Sequence, residues 1–430
     1  MSSFAPLSDS YVRRVIDDEL DELIAGLAAI AVEGPKGVGK TASAARRALT
    51  IYELDDPATL AVIEADSTRL AVGDAPILVD EWQRYPSSWD VVRRAVDQGN
   101  RPGRFLLTGS ATPQAQSVHS GAGRIVKLRM RPQTLGERGI ETASVSVAEL
   151  LTGAVPALTG TTDVRLDGYV TEILAGGFPG MRSTSARVQR ASLDGYLDRI
   201  LDVDLPEIGV EIRRPATMRR WLAAYAAATA TAASYEKIRD AATAGDGDKP
   251  AKTTTIPYRE ALERIWILEP LDAWVPSKNH LMRLTAAPKH HLVDPALAAR
   301  LVGASPRSLL AGKGPTTIPR DGPFLGALFE SLVALSLRVF AQASESRVFH
   351  FRTRGGEREV DFIVERDDGA VLAIEVKLSE TVHDSDVGHL KWLRDELGDQ
   401  FIDALVVTTG RHAYRRPDGI GVVPLALLGP

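Results

Sequence analysis

Cysteine is absent from all 430 residues. That excludes disulfides, thiolate zinc sites and thiol nucleophiles, and it suits a reducing compartment. Histidine and carboxylate metal sites stay open. Neither charge sign dominates: 51 Lys+Arg stand against 56 Asp+Glu, a formal net charge of -5. A globally basic nucleic-acid coat is therefore excluded, and any such contact has to be local. Long hydrophobic runs are lacking too. The longest, Leu23 to Val32, is too short to span a bilayer, and the opening MSSFAPLSDSYVRR lacks the charged-then-apolar pattern of a signal peptide. The expectation is a cytoplasmic protein with no membrane partner. No internal repeat or long low-complexity tract occurs.

What is present reads as an ordinary globular chain, 44% hydrophobic and 25% charged, with length for two to four domains. Leu20 to Val32 reads as a helix and then a short buried strand, which runs into EGPKGVGKTASAARRAL, where helical spacing resumes. Apolar runs follow at Leu60 to Ala65, Pro76 to Asp80 and Arg104 to Ser110. Apolar strands alternating with helices imply a parallel sheet covered on both faces, so residues 1–140 are expected to form an α/β domain.

Residues 141–311 turn helical and Ala-rich, notably Trp221 to Ala233. Ala244 to Pro250 breaks that pattern as a turn or wing-like loop, and Ile256 to Ile265 is an amphipathic helix running into Trp266, Ile267 and Leu268. A winged helix writes this order, and so does a small helical lid. Gly312 to Gly322 reads as a linker. Residues 323–430 open with a helix from Phe324 to Ala341 and continue with strands at Arg347 to Phe351, Glu359 to Val364, Val371 to Val376 and Ala404 to Thr408, a second α/β unit.

Gly34-Pro35-Lys36-Gly37-Val38-Gly39-Lys40-Thr41 fits G-x-x-x-x-G-K-[ST] between a strand and a helix, the context the motif requires. Its glycines let backbone N–H groups wrap a phosphate chain, with Ala42 continuing into the helix whose N-terminus adds positive dipole. Lys40 would reach the terminal phosphates of ATP, and Thr41 would offer its hydroxyl to Mg²⁺. Ile77 to Glu81 supplies the other half: the strand delivers Asp80 to the metal, and Glu81 can polarise the attacking water.

GPKGVGKT, ILVDEWQRYP, FLLTGSA, GRIVKLRMRP and Gly176-Gly177-Phe178-Pro179 together resemble a prokaryotic AAA-type ATPase family with a C-terminal domain of unknown function. The similarity covers essentially the whole chain. Asp80-Glu81-Trp82-Gln83 keeps the family's usual Asp-Glu-x-Gln, and Gly-Gly-Phe-Pro resembles its lid motif, which approaches the base. The resemblance implies that Thr108, with Ser110, senses the terminal phosphate, although both could equally be cap residues. It also implies an arginine finger at Arg124 serving a neighbouring copy in a homo-oligomer; a surface arginine beside Lys127, Arg129 and Arg131 is the other reading.

The segments around Asp361 and around Glu375 and Lys377 resemble the two central strands of the restriction-endonuclease-like, PD-(D/E)XK fold. A period of two puts Glu375 and Lys377 on one strand face, and a hairpin centred on Asp368 would set Asp361 opposite Glu375. In that register the two carboxylates share Mg²⁺, Glu330 adds a further ligand or supporting acid, and Lys377 activates the attacking water. The alternatives are an exposed Glu375–Lys377 ion pair and a nuclease fold kept as an inactive platform. His290 and His291 are adjacent and point apart if extended, so no histidine set competes. Arg213, Arg214, Arg219 and Arg220, and Arg352 with Arg354, are local basic clusters that leave DNA or another nucleic acid as a partner. The reading is thus an α/β chain with a P-loop AAA-type domain, a helical or winged-helix-like middle and a restriction-endonuclease-like C-terminal domain. It hydrolyses ATP with Mg²⁺ and acts on nucleic acid, or else is an ATP-regulated switch that cuts nothing. A simple metabolic kinase would need neither the lid nor the extra domain.

Overall fold

The computed structural model describes residues 11–110, 123–182, 185–210, 212, 214–243, 252–276, 286–310, 322–353 and 355–430. The expected linker and the loop from Ala244 to Pro250 lie outside them, apart from Gly322, and so do Arg213 and Arg354.

Five parallel strands form the N-terminal sheet: β1 Ala29–Glu33, β2 Thr50–Glu53, β3 Ile77–Asp80, β4 Phe105–Gly109 and β5 Val126–Arg129, in the order β2-β3-β4-β1-β5. Strands β1, β3 and β4 are buried along their whole length, as a parallel sheet covered by helices demands. This order inserts β4 between β1 and β3. The polar tip of β4 consequently lies between the phosphate loop after β1 and the acidic end of β3. The run Leu60 to Ala65 is not a strand: it belongs to the helix Pro57–Ala65, which Asp56 caps by accepting from the backbone N–H groups of Ala58 and Thr59. The neighbouring strand is instead β2, whose half-exposed Thr-Ile-Tyr-Glu carries too weak an apolar pattern to stand out.

The middle region is helical through Leu166–Ala175, Ala186–Arg199, Pro215–Ala227, Tyr235–Ala241 and Lys252–Arg264. A π-turn at Ile200–Asp204 extends the second of these. After the last helix the chain makes antiparallel bridges, Leu268 with Leu292 and Leu271 with Lys289, and a parallel bridge joins Ala273 to His350. These five helices are therefore followed by a narrow two-stranded ribbon, which leans on the C-terminal sheet rather than standing apart.

A short strand, β6 Val145–Ser146, pairs with β13 Leu428–Gly429 and ties the segment after the N-terminal sheet to the C-terminal region. The C-terminal sheet comprises β7 Arg347–Arg352, β8 Glu359–Glu365, β9 Val371–Val376, β10 Phe401–Thr408, β11 Tyr414–Arg415 and β12 Gly421–Pro424, in the order β11-β12-β10-β9-β8-β7. Strands β8 and β9 are an antiparallel hairpin, whereas β9, β10 and β12 run parallel. Behind this sheet runs the helix Gly322–Ala343. It is long and apolar enough to cross a bilayer, which makes it a longer apolar element than Leu23 to Val32, but 72% of its most apolar window is buried against the rest of the fold. Ser331, Ser336 and Arg338 interrupt the apolar pattern only at buried, partnered positions.

Candidate functional site

The phosphate loop leaves β1 and enters the helix Lys40–Ala45 through Gly34, Gly37 and Gly39, all at positive φ. Gly34 has no room for a side chain, since a Cβ there would lie 2.1 Å from the Met130 carbonyl oxygen. Arg14, buried just before the first helix, donates to the carbonyls of Val38 and Arg131 at 2.8 Å and to Glu137 at 2.9 Å. Lys40 is only 5% exposed, and its Nζ donates to the carbonyl oxygens of Gly34 and Pro35 at 2.9 and 2.8 Å. Among the described residues no carboxylate forms a salt bridge with it; burial lowers its pKa to about 8, against the weaker pull of the Glu81 and Asp80 charges. An anionic phosphate chain would therefore find a lysine that no carboxylate of the described residues contacts directly.

Around this lysine the expected residues converge. Thr41 Oγ1 donates to Asp80 Oδ1 at 2.8 Å, and the Thr108 hydroxyl donates to the same oxygen. Burial pushes the Asp80 carboxyl up, and these two hydroxyls oppose the shift. Thr108 is thus bonded to Asp80, the acid expected at the metal, and lies in β4. Glu81 sits just past β3 with φ 50°, a left-handed conformation that costs roughly 1–3 kcal/mol in a non-glycine residue. Gln83 donates to Glu81 at 2.5 Å and to Ser110 at 3.2 Å, and Ser110 donates to Glu81 at 3.3 Å. Residues after β1, β3 and β4 therefore meet at one point.

Magnesium fits this corner. One hydroxyl and one carboxylate 2.8 Å apart are what it takes from a protein when substrate phosphates and water supply its other ligands. Thr41 and Asp80 would hold it, and when bound it would neutralise charge on the terminal phosphates.

Two cavities flank the loop. One of about 450 Å³ is lined by Lys36, Glu81, Gln83, Ser110, Tyr196 and Asp204. The other, about 550 Å³, lies across Gly39 and Ala42 and is lined by Tyr11, Met130, Pro179 and Arg182. The first lies on the Glu81 side of the loop and the second on the side of Arg14 and Pro179. Gly177 is wedged so that a Cβ would come 2.5 Å from the Gln133 carbonyl, while its N–H donates to Asp294 at 2.6 Å. That packing brings Pro179 to the second cavity.

The side chain of Lys36 turns away from the loop. Its Nζ donates to Asp204 at 2.6 Å and to Glu207 at 3.1 Å, so acids of the helical middle hold the loop's outer lysine. Arg124 pairs with Asp97 at 2.8 Å on the helix Ser87–Gln98 of the same chain. Arg219 is matched by Asp198 and Asp202, and Arg352 by Glu359 at 3.8 Å. These basic groups carry local counterions.

In the C-terminal hairpin Phe362 lies opposite Ile374 and Glu365 opposite Val371, the register centred on Asp368. Asp361 Oδ2 accepts from the Val376 N–H at 3.0 Å, and Lys377 lies 3.4 Å from Glu375. Burial, followed by the charge of Asp361, pushes the Glu375 carboxyl up. Glu330 is raised for the same two reasons. Burial acts most strongly on Asp361 and acts to raise it, but the Lys289 ammonium, the Val376 N–H and Lys377 together hold that carboxyl down. Lys289 Nζ stands 2.9 Å from Glu330, 3.0 Å from Glu359 and 3.1 Å from Asp361.

Sequence reasoning assigned Glu330, Asp361 and Glu375 to a metal and overlooked Lys289. Among the described residues no group of three or more His, Asp or Glu side chains is arranged to hold a metal ion. The C-terminal carboxylates as they stand do not fit one, because a lysine lies between them. Its only signal in sequence is a charged residue beside the apolar His-His-Leu-Val segment that follows it.

A further charged knot links the two sheets. Glu269 receives Arg131 at 2.8 Å, with Arg338 at 3.6 Å and Arg129 at 3.7 Å, and these cations hold its carboxyl well below the usual range despite burial. Gln342 donates to the Arg129 carbonyl at 3.0 Å and to Glu19 at 2.9 Å. Arg338 and Gln342 lie on the helix that also carries Glu330, about two and three turns further along.

Residues 28–138 match a family described as AAA domain. Residues 166–308 and 325–428 match two domains of unknown function, DUF8612 and DUF4143. Uncharacterized proteins of Mycobacterium bovis and Mycobacterium tuberculosis are each 27% identical over 353 residues, 81% of this chain and 68% of theirs. Among solved structures, a Walker-type ATPase of Pyrococcus abyssi overlays with a TM-score of 0.38 at 15% identity, over 66% of this chain and 94% of that one. AMPPCP-bound DnaA from Aquifex aeolicus overlays at 0.24 with 16% identity, over 58% and 86%. The N-terminal sheet and its loop are accordingly an AAA-type P-loop ATPase domain.

Proposed function

We propose that this chain is a Mg²⁺-dependent ATP-hydrolysing switch whose nucleotide state is passed to the helical middle and the C-terminal sheet. The convergence of Lys40, Thr41, Asp80 and Glu81 on one corner of the phosphate loop carries the reading. In it Lys40 exchanges its two carbonyl partners for phosphate oxygens. Glu81, oriented by Gln83 and Ser110, accepts the proton of the attacking water. Thr108 and Ser110 register whether a terminal phosphate is present. Transmission runs through Lys36, which touches the middle region at Asp204 and Glu207, and through the Glu269 knot. Isothermal titration with ATP and a phosphate-release assay test the site. Lys40→Ala should lose ATP binding, whereas Glu81→Gln should keep it and slow turnover by about 10²-fold or more; equal loss of binding in both variants would contradict the assigned roles.

A second reading is supported by the β8–β9 register, which pairs Phe362 with Ile374 and, continued by one residue, would face Asp361 toward Glu375 with Lys377 on the same side. It makes the C-terminal domain a restriction-endonuclease-like unit that acts on nucleic acid, beside a winged-helix-like middle. Its test is cleavage of single- and double-stranded DNA and RNA with Mg²⁺, with and without ATP. Cutting that disappears in Lys377→Ala would establish the nuclease, and absence of cutting under every condition leaves the switch.

A further inference from the structure

We infer that Lys289 is the resident cation of the C-terminal carboxylate cluster, standing where a divalent metal would bind and fastening the middle region to the C-terminal sheet. An ammonium has three N–H donors, and Lys289 has three carboxylate partners, Glu330, Glu359 and Asp361, at 2.9 to 3.1 Å. Those are charge-assisted hydrogen-bond lengths, whereas Mg²⁺ demands oxygens at about 2.0–2.1 Å. The lysine is 2% exposed, and a buried charge of this kind persists only when it is paired.

Lys289 comes from outside the sheet that provides most of its partners. It sits on the two-stranded ribbon of the middle region, across from Leu271. The ribbon is itself stitched to β7, since the Trp274 N–H donates to the His350 carbonyl at 2.6 Å and the His350 N–H to the Asp272 carbonyl at 3.0 Å. Backbone pairing thus delivers the ammonium to Asp361, on the hairpin, and to Glu330, on the long helix. A divalent ion sharing Glu330 and Asp361 would meet a like charge within a few ångströms, so metal and lysine are alternatives. The same strand register that could gather Asp361 and Glu375 around a metal is here used to hold a lysine.

The test is Mn²⁺ binding to the full chain without nucleotide, followed by electron paramagnetic resonance, in wild type, Asp361→Asn, Lys289→Met and Lys289→Met/Asp361→Asn. Wild type and Asp361→Asn should bind the same number of Mn²⁺ ions, and Lys289→Met should bind one more per chain than the double variant. One additional Mn²⁺ in wild type over Asp361→Asn would overturn the inference, and so would a cooperatively melting Lys289→Met that gains none. If Lys289→Met does not fold, the first comparison decides by itself. No arm uses ATP, so the outcome is separate from that of the nucleotide site.

Discussion

Two buried lysines of this chain have opposite surroundings. Lys40 rests on two neutral carbonyls of its own loop, and its pKa falls to about 8; Lys289 is enclosed by three carboxylates, and its pKa rises. Burial acts in the same direction on both, so the partners decide the sign. Lys40 is a cation with Glu81 and Asp80 near but not in contact, held ready for an anion that arrives from solution. Lys289 is already neutralised by the fold and acts as a bond between regions. A binding site and a structural joint can therefore be built from the same residue type, and what distinguishes them is whether the counter-charge belongs to the protein.

The comparison breaks most visibly if Lys289 is removed. Lys289→Met should leave three carboxylates facing one another and cost about 3–5 kcal/mol, read as a lowered melting temperature or denaturant midpoint. A loss no greater than that of an exposed ion pair would show that Lys289 is not the joint described.

The pH dependence of ATP binding sharpens the other half. Below about pH 8 Lys40 is charged with or without nucleotide, so binding takes up no proton there. Above that value the free protein holds a neutral lysine, which phosphate must re-protonate. Affinity should fall by up to about tenfold per pH unit between pH 8 and the ordinary lysine value of 10.5, with proton uptake visible by titration in buffers of different ionisation enthalpy. The sign is reversed for Lys289. A raised folded pKa means that its contribution is complete below the unfolded value and is lost only as pH rises through the folded one, so the joint should hold across the range in which ATP binding weakens.

The smallest effect is expected where cations meet acids in water. Arg219, 44% exposed beside an Asp198 that is 52% exposed, should change stability by less than about 0.5 kcal/mol on replacement by alanine. A larger loss would place the middle region's basic cluster in some contact beyond these acids.

The phosphate loop was legible because its information is local. A strand, three glycines at fixed spacing, Lys40 and a helix start lie within about a dozen residues, and backbone geometry follows from them. Asp80 and Glu81 were found for a similar reason, as the acidic end of an apolar run. The β8–β9 hairpin likewise follows from side-chain alternation about a short turn at Asp368. Elements lacking a clear pattern were misread: β2 is half-exposed, and the helix Pro57–Ala65 carries apolar residues that mimic a strand. Thr108 was readable as a polar residue near the phosphate, but its bond to Asp80 depends on β4 lying between β1 and β3, and strand order is not written in any one segment.

The sequence by itself determined that this chain carries a phosphate loop with an acid-tipped strand to complete it, because short-range spacing and periodicity constrain backbone shape wherever the segment folds. Only the tertiary structure decided which charges are free. Arg14 meets Glu137, Arg338 meets Glu269, and Lys289 meets Glu330 and Asp361 across separations of many tens of residues. The cost of burying a charge, and hence its role, is set by partners that arrive only when the chain has folded.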